Sequence, residues 1–352
     1  MQSSEKCCRA SAGMRRRCLF IALASAFFVC ACVPSASSGA DKAAREVFAM
    51  DTYMTVSCYG ENREAAADAA VDEIRRIDAL LSISSASGDI YRVNAEGEAE
   101  ISGETTLIVN TALDIFRETN GAFDITVYPV MKLWGFTDGN HRVPEQAELD
   151  DVLSYVGSEK LTIEDNVLKL NDASGVDLGG IAKGYASDRL VEIFKEYGIT
   201  SACVSLGGNV HCLGTKPDGS AWRCGIVDPF NKDSGFLGVL TVTDRAVITS
   251  GSYERFFIDE TTGERYHHII DTKTGRPSES GLLSVTIVHK RGILADALST
   301  ACYVMGLDGA IRYWNESGRD FDMIIMTEGG EVYVTPDIAN SFTSDYTVNT
   351  IG

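Results

Sequence analysis

At 352 residues and 45% hydrophobic content, the chain can build one large domain or two small ones around a substantial core. Its formal net charge of -19, from 31 basic against 50 acidic residues, argues against a general nucleic-acid binder and against adhesion to anionic lipid by charge. An anionic ligand would need its charge met locally, by a cation and by backbone N–H groups.

Near its start the chain carries Met14 followed by Arg15, Arg16 and Arg17, a positive n-region, and then the apolar run "CLFIALASAFFVCAC". That run is short for a membrane span and matches the h-region of a signal peptide. It ends in Val29-Cys30-Ala31-Cys32, which resembles a bacterial lipobox with Cys32 as the lipidated residue. Residues 1–31 are therefore expected to be a signal peptide, 32–45 a flexible lipoprotein tether and 46–348 the folded domain. A lipid on Cys32 would hold that domain at the cell membrane, facing the periplasm or cell exterior. Beyond Cys32 there remain Cys58, Cys203, Cys212, Cys224 and Cys302, with no C-x-x-C pair, so no zinc site or full disulfide framework is indicated. One bridge among Cys203, Cys212 and Cys224 stays open.

Residues 47–60 alternate as a strand does. Residues 62–81 carry Val71, Ile74, Ile77 and Leu81 at helical intervals, and a second helix runs through 105–120 to Gly121. Residues 160–170 read as a hairpin around Asp165-Asn166. Glycines at 179, 180 and 184 lead into a helix through Leu190, Ile193 and Phe194. Short strands dominate 201–290: "SACVSL", "WRCGIV", "FLGVLTV", "AVITS", "YHHIID" and "LLSVTIVH". Helices at 293–305 and 308–317 and a strand pair close the chain. Strand and helix runs without a βαβ rhythm favour an α+β fold. The expectation is a single compact two-lobed domain of mixed, mainly antiparallel sheet with flanking helices.

Four stretches can carry chemistry. "VDLGGIAKGY" (176–185) is neither a Walker A loop, since Tyr185 follows Gly184 where Lys is required, nor a G-x-G-x-x-G fingerprint. It is a glycine turn at a helix N-terminus, where N–H groups favour an anion. Lys183 in the first turn opposes the helix dipole and makes sense against a phosphate; the plain alternative is an ordinary turn with a surface lysine. In "GILADALSTACYVMG" (292–306), Leu294, Leu298, Ala301 and Met305 form the apolar stripe, while Asp296 and Thr300 stand one turn apart with Ser299 beside them. Such a carboxylate and hydroxyl suit one hard cation, although a solvated helix face would read the same way. In "ERYHHIIDTKTGRP" (264–277), His267 and His268 on one strand would face opposite sides, so one at most joins a site with Asp271. In "GAFDITVYPVMKLWGF" (121–136), Asp124 sits among aromatics suited to stacking on a ring system.

In order, G-A-F-D, V-D-L-G-G-I-A-K-G-Y, S-L-G-G-N, H-I-I-D-x-x-T-G and A-D-A-L-S-T resemble the FAD:protein FMN transferases, the ApbE-like family, from about Val47 to near Thr335. "MDTYMTV" resembles that family's Met-Gly-Thr strand, with Asp51 in place of the glycine. The resemblance implies an enzyme that uses Mg²⁺ to cleave FAD, its substrate, and attaches FMN by a phosphoester bond to a threonine of a partner flavoprotein, releasing AMP. The acceptor it implies is a membrane or secreted redox protein. It implies that Met50, Ala122, Phe123, Asp124, Asp177, Lys183 and Ile270 line the FAD site and that Gly180, Asp296, Ser299 and Thr300 hold the metal. His268 is the candidate base or positioner at the acceptor hydroxyl, with Asp271 supporting it. Many members carry an aromatic where Ser84 falls, so an FAD pyrophosphatase yielding FMN and AMP is the alternative, and a non-catalytic flavin-binding lipoprotein a third reading.

Overall fold

The computed structural model describes residues 41–171, 173–231 and 235–352. The expected signal peptide and Cys32 lie outside the described residues. Within them the fold is α+β, built on a nine-stranded sheet. Its strands run in the order Lys42–Ala49, Thr52–Tyr59, Ser201–Leu206, Asn209–Leu213, Arg245–Gly251, Leu282–His289, Asp322–Thr327, Val332–Val334 and Val348–Thr350. Every neighbouring pair is antiparallel except the last, which is parallel.

The first strand begins at Lys42, inside the stretch expected to be tether, and pairs fully with Thr52–Tyr59. The expected single strand over 47–60 is in fact a hairpin. Met50 and Asp51 both take positive φ, 47° and 58°, and reverse the chain between the two strands. Alternation persists across that turn, so periodicity alone could not reveal it. The hairpin at Asp165-Asn166 forms as expected, again with both φ positive.

Helix Arg63–Leu81 buries Val71, Ile74, Ile77 and Leu81, and Gly103–Glu118 follows with the Ser102 hydroxyl accepting from Thr105 N. Two helices place the chemistry. Ala182–Glu196 follows the glycine turn, and Gly292–Glu316 packs against both it and the strands Arg245–Gly251 and Leu282–His289. The two expected helices at 293–305 and 308–317 are the halves of this long one, which kinks at Gly306 (φ 72°). Its N-terminal N–H groups on Gly292 and Ile293 donate to the Asp188 carboxylate on the other helix. The expected stripe packs on the main core, with Leu298 and Ala301 buried, but the buried face is wider than that stripe. Leu294 and Met305 are half-buried, whereas Ile293, Ala295, Asp296, Ala297, Leu298 and Ser299 are buried, as befits a helix enclosed on most sides.

The main core fills the space between these helices and the sheet. A second core lies between the sheet's other face and a three-stranded sheet of Trp222–Val227, Phe236–Val242 and Phe342–Thr343. A third, smaller core gathers Val130, Trp134, Phe136, Leu149 and Ile270. The expected strand "YHHIID" is broken: Arg265–His267 pairs with Phe256–Ile258, the chain bends at His268, and Ile270–Asp271 pairs with Arg276–Pro277.

Candidate active site

The motif segments, far apart in sequence, are stitched together by hydrogen bonds to main-chain carbonyls. Asp177 N donates to Ile125 O at 2.8 Å, and Thr272 Oγ1 donates to Gly121 O at 2.8 Å. His268 N reaches Arg255 O at 3.0 Å, and Arg255 Nη2 reaches Phe136 O at 3.0 Å. These bonds bring residues 121–127, 176–184, 254–255 and 268–272 to one place.

Asp296 anchors one wall. Its carboxylate, only 4% exposed, accepts from Gly184 N at 2.8 Å and from Asn209 Nδ2 at 2.9 Å. Beside it runs a directed chain of hydroxyls. Ser299 Oγ donates to the Asp296 carbonyl at 2.7 Å, because a carbonyl can only accept. With its one proton so used, Ser299 accepts from Ser250 at 2.7 Å, and Ser250 in turn accepts from Thr300 Oγ1 at 3.3 Å. Thr300 is left with its lone pairs unspent. Gly180 lies against this group, where a Cβ would stand 3.6 Å from Thr300 Oγ1 and 3.0 Å from the Phe123 ring. Ser250 was not evident from the sequence, since a serine at the end of "AVITS" carries no motif signal.

Among the described residues no three His, Cys, Asp or Glu side chains converge as a metal centre. What converges is one carboxylate and a cluster of hydroxyls, an all-oxygen set that fits a hard cation keeping waters and substrate phosphate among its ligands. Asp296, Thr300, Ser299 and Gly180 are thus brought together as expected.

Beside this group lies an ionic one. Burial raises the Asp177 carboxyl above its usual range, against the pull of the Gly179 N–H and the charges of Arg255 and Lys183. Burial also raises Glu254, to about 7, opposed by Lys183 and Arg255 and reinforced by Asp296. His268 is lowered to about 3, first by burial and then by Arg255. These three groups feel one another's neighbours, so Lys183, Arg255, Asp177, Glu254, His268 and Asp296 lie close together. Asp296 is buried, Asp177, Lys183 and His268 are half-buried, and Glu254 and Arg255 are exposed at the rim. Lys183 bends back to Gly179 O at 3.3 Å. Sequence reasoning missed Glu254 and Arg255; "SYERF" has no spacing signal, and only the loop after Arg245–Gly251 carries them here.

Other expected residues sit differently. The Asp124 carboxylate, 7% exposed, is occupied by Thr126 N, Thr126 Oγ1, Ser158 N and Ser158 Oγ, so it organises its own loop. Asp271 does not support His268. Its Oδ1 accepts from Lys273 N in its own turn, while His268 Nδ1 bonds Arg255 O at 3.1 Å. Ile270 faces the third core beside Trp134, and Ala122 and Phe123 are buried, the latter against Gly180. Met50 is half-buried at its turn, its N–H held by Asp78 Oδ1, and its neighbour Asp51 lies near enough to raise Asp177 further. Ser84 is exposed and bonds Ser82.

An all-oxygen niche beside two cations is an arrangement that can accept a phosphate group together with a hard cation. The chain belongs to the ApbE family, whose model matches residues 50–325. It is 30% identical over 346 residues to the FAD:protein FMN transferase of Salmonella typhimurium, covering 93% of this chain and 98% of that one. The Treponema pallidum protein of the same name is 32% identical, over 75% of this chain and 79% of its own. Among solved structures, the ApbE protein of Thermotoga maritima superimposes with a TM-score of 0.80 at 31% identity, covering 86% of this chain and 99% of that one. The flavin transferase ApbE of Vibrio cholerae gives 0.77 at 26% identity, over 86% of this chain and all of that one.

Proposed function

We propose that this chain is an FAD:protein FMN transferase that splits FAD, joins FMN through a phosphoester to a threonine hydroxyl of an acceptor protein, and releases AMP. The observation that carries this reading is the gathering of the Asp296 carboxylate and the Thr300 hydroxyl, beside Gly184 and Gly180, with the cations Lys183 and Arg255 and with His268. A pyrophosphate is the ligand that answers both groups.

Asp296, Thr300, Ser299 and Gly180 are the residues that would hold Mg²⁺. When bound, the ion offsets negative charge on the pyrophosphate oxygens during phosphoryl transfer. Lys183 and Arg255 add cationic charge nearby, a need set by the acidity of the whole chain. His268 is the base. Because its Nδ1 must donate to the Arg255 carbonyl, the neutral ring keeps its lone pair on Nε2. Nε2 takes the proton of the acceptor hydroxyl, whose oxygen attacks the FMN phosphorus while the bond to AMP breaks.

Residues 1–31 serve as the export signal, and Cys32 carries the lipid that tethers the domain outside the cytoplasm, near membrane or secreted redox acceptors. The support is the Arg15–Arg17 run, the apolar segment after it and the lipobox-like end at Cys32. Loss of fatty-acid labelling in Cys32→Ser would bear this out, and unchanged labelling would refute it.

The deciding experiment supplies FAD, Mg²⁺ and a threonine-containing redox domain, and weighs the acceptor by intact mass spectrometry beside an Asp296→Ala control. A gain of one FMN, absent with the variant, is expected. FMN and AMP released over an unmodified acceptor would establish the pyrophosphatase instead, and FAD bound but intact would establish a carrier.

A further inference from the structure

Three cysteines from three strands meet in the second core. Cys203 lies on Ser201–Leu206, Cys212 on Asn209–Leu213 and Cys224 on Trp222–Val227, all buried beside Val210, Trp222 and Leu240. Cys212 Sγ is 3.7 Å from Cys203 Sγ and 3.8 Å from Cys224 Sγ. Cys58 and Cys302 are buried in the main core instead.

We propose that Cys203 and Cys212 form a disulfide across their hairpin, with Cys224 held against Cys212 as the third thiol. The register supports that pair. Cys203 and Cys212 are direct antiparallel partners, and the hairpin turns at Gly207 and Gly208, with φ of 61° and 94°. Counting from the tight pair Leu206–Asn209, ladder alternation makes Cys203–Cys212 a non-hydrogen-bonded pair, whose Cα atoms typically lie about 4.5 Å apart. That falls inside the window of about 4.4–6.8 Å that a disulfide spans, so side-chain rotation alone can bring the sulfurs to about 2.05 Å. Cys224 reaches in from the facing sheet, and stacked sheets lie about 10 Å apart, a separation that lets sulfurs touch more readily than bond.

The bond would matter to the site. The same hairpin ends in Asn209, the residue that holds the Asp296 carboxylate. A cross-link on the Cys203–Cys212 rung would fix the strand that presents it.

The chemistry is dithiol–disulfide exchange with an external disulfide as oxidant, in the folding compartment proposed above. One cysteine thiolate attacks that disulfide, whose S–S bond breaks and releases one half as a thiol. The second cysteine, losing its proton, attacks the mixed disulfide and releases the other half as a thiol. Two electrons pass to the oxidant. Because the sulfurs are buried in the finished fold, exchange belongs to folding, before the three-stranded sheet covers the hairpin.

The test refolds the full chain in detergent from denaturant, in a mixture of oxidised and reduced glutathione. Alkylation under denaturing conditions and peptide mass mapping then read the sulfurs. The expected result is the Cys203 peptide joined to the Cys212 peptide with Cys224 alkylated, and a thermal midpoint several degrees above that of the reduced chain. Cys212→Ala should abolish both the bond and the oxidation-dependent rise. Refolded chain with native circular dichroism and all three thiols alkylated, or a bond that omits Cys212, would overturn the proposal. The readout is independent of flavin transfer, so its failure leaves the proposed function standing.

Discussion

Asn209 donates its side-chain amide to Asp296 Oδ1 at 2.9 Å, joining a hairpin turn to the kinked helix across 87 positions of sequence. With Gly184 N on the other oxygen, the carboxylate has a fixed aim rather than a rotamer to choose. Asp296→Ala should therefore lower transfer by about 100-fold or more, since it removes the carboxylate proposed to hold the ion. Asn209→Ala leaves the charge but frees its aim, and should weaken metal affinity about 10- to 100-fold. Titrating activity with Mg²⁺ separates the two: the Asn209 variant recovers at high metal, the Asp296 variant does not.

Gly184 and Gly180 are close in sequence but stand in different surroundings. A Cβ on Gly184 would meet the Gly292 carbonyl oxygen at 2.3 Å and Asp296 Cβ at 2.6 Å, backbone and helix that cannot retreat. Gly184→Ala should push the two helices apart and cost roughly 3 kcal/mol or more. A Cβ on Gly180 meets the rim of the Phe123 ring at 3.0 Å, and a ring can tilt. Gly180→Ala should stay folded and lose transfer instead. Thermal unfolding of both variants checks this; a Gly184→Ala midpoint equal to that of the parent would contradict the packing argument.

Much of this was legible in the sequence where chemistry and spacing coincide. Asp296, Ser299 and Thr300 share a helical repeat, and the bare backbone at 179–184 marked the close approach that Gly184 and Gly180 make. What escaped was set by tertiary contact. Ser250, Glu254 and Arg255 enter the cleft only because the strand Arg245–Gly251 lies under the kinked helix. Asp124 looked like a ligand-facing acid because sequence cannot show four donors converging on it from its own loop and from Ser158. The Met50-Asp51 turn was hidden because both residues adopt a left-handed conformation without a glycine to advertise it.

Glu254 and His268 should divide the pH dependence of the cleft. With His268 lowered to about 3, its ring stays neutral throughout the neutral range, so His268→Ala should abolish transfer while FAD still binds. Glu254, raised to about 7, gains its charge near neutrality and then opposes an anionic ligand. FAD affinity measured by flavin fluorescence without divalent ions should fall about 5-fold as pH rises through 7, roughly 1 kcal/mol for a partly solvated charge pair. Glu254→Gln should flatten that profile; an unchanged inflection would assign it to another group.

Stability should respond to acid through histidines buried in neutral form. His211 is 4% exposed, and burial lowers it to about 4. Its Nδ1 faces Ser187 Oγ at 3.0 Å, and that hydroxyl already donates to Gly184 O, so the ring must donate there and keeps Nε2 unprotonated. His267, also buried, is likewise lowered to about 4. Between about pH 4 and 6.5 the unfolded chain binds protons that the folded chain refuses, so stability rises with pH across that window and is lost as pH falls. For His211 the change is on the order of 3 kcal/mol. Glu254 acts in the reverse sense: the folded chain keeps a proton the unfolded one has released, so its contribution declines between about pH 4.5 and 7. It keeps contact with water, so that decline should be the smaller effect. Urea unfolding at a series of pH values should therefore show net acid destabilisation below about 6.5, made shallower in His211→Gln. A profile equally steep in that variant would place the acid sensitivity elsewhere in the fold.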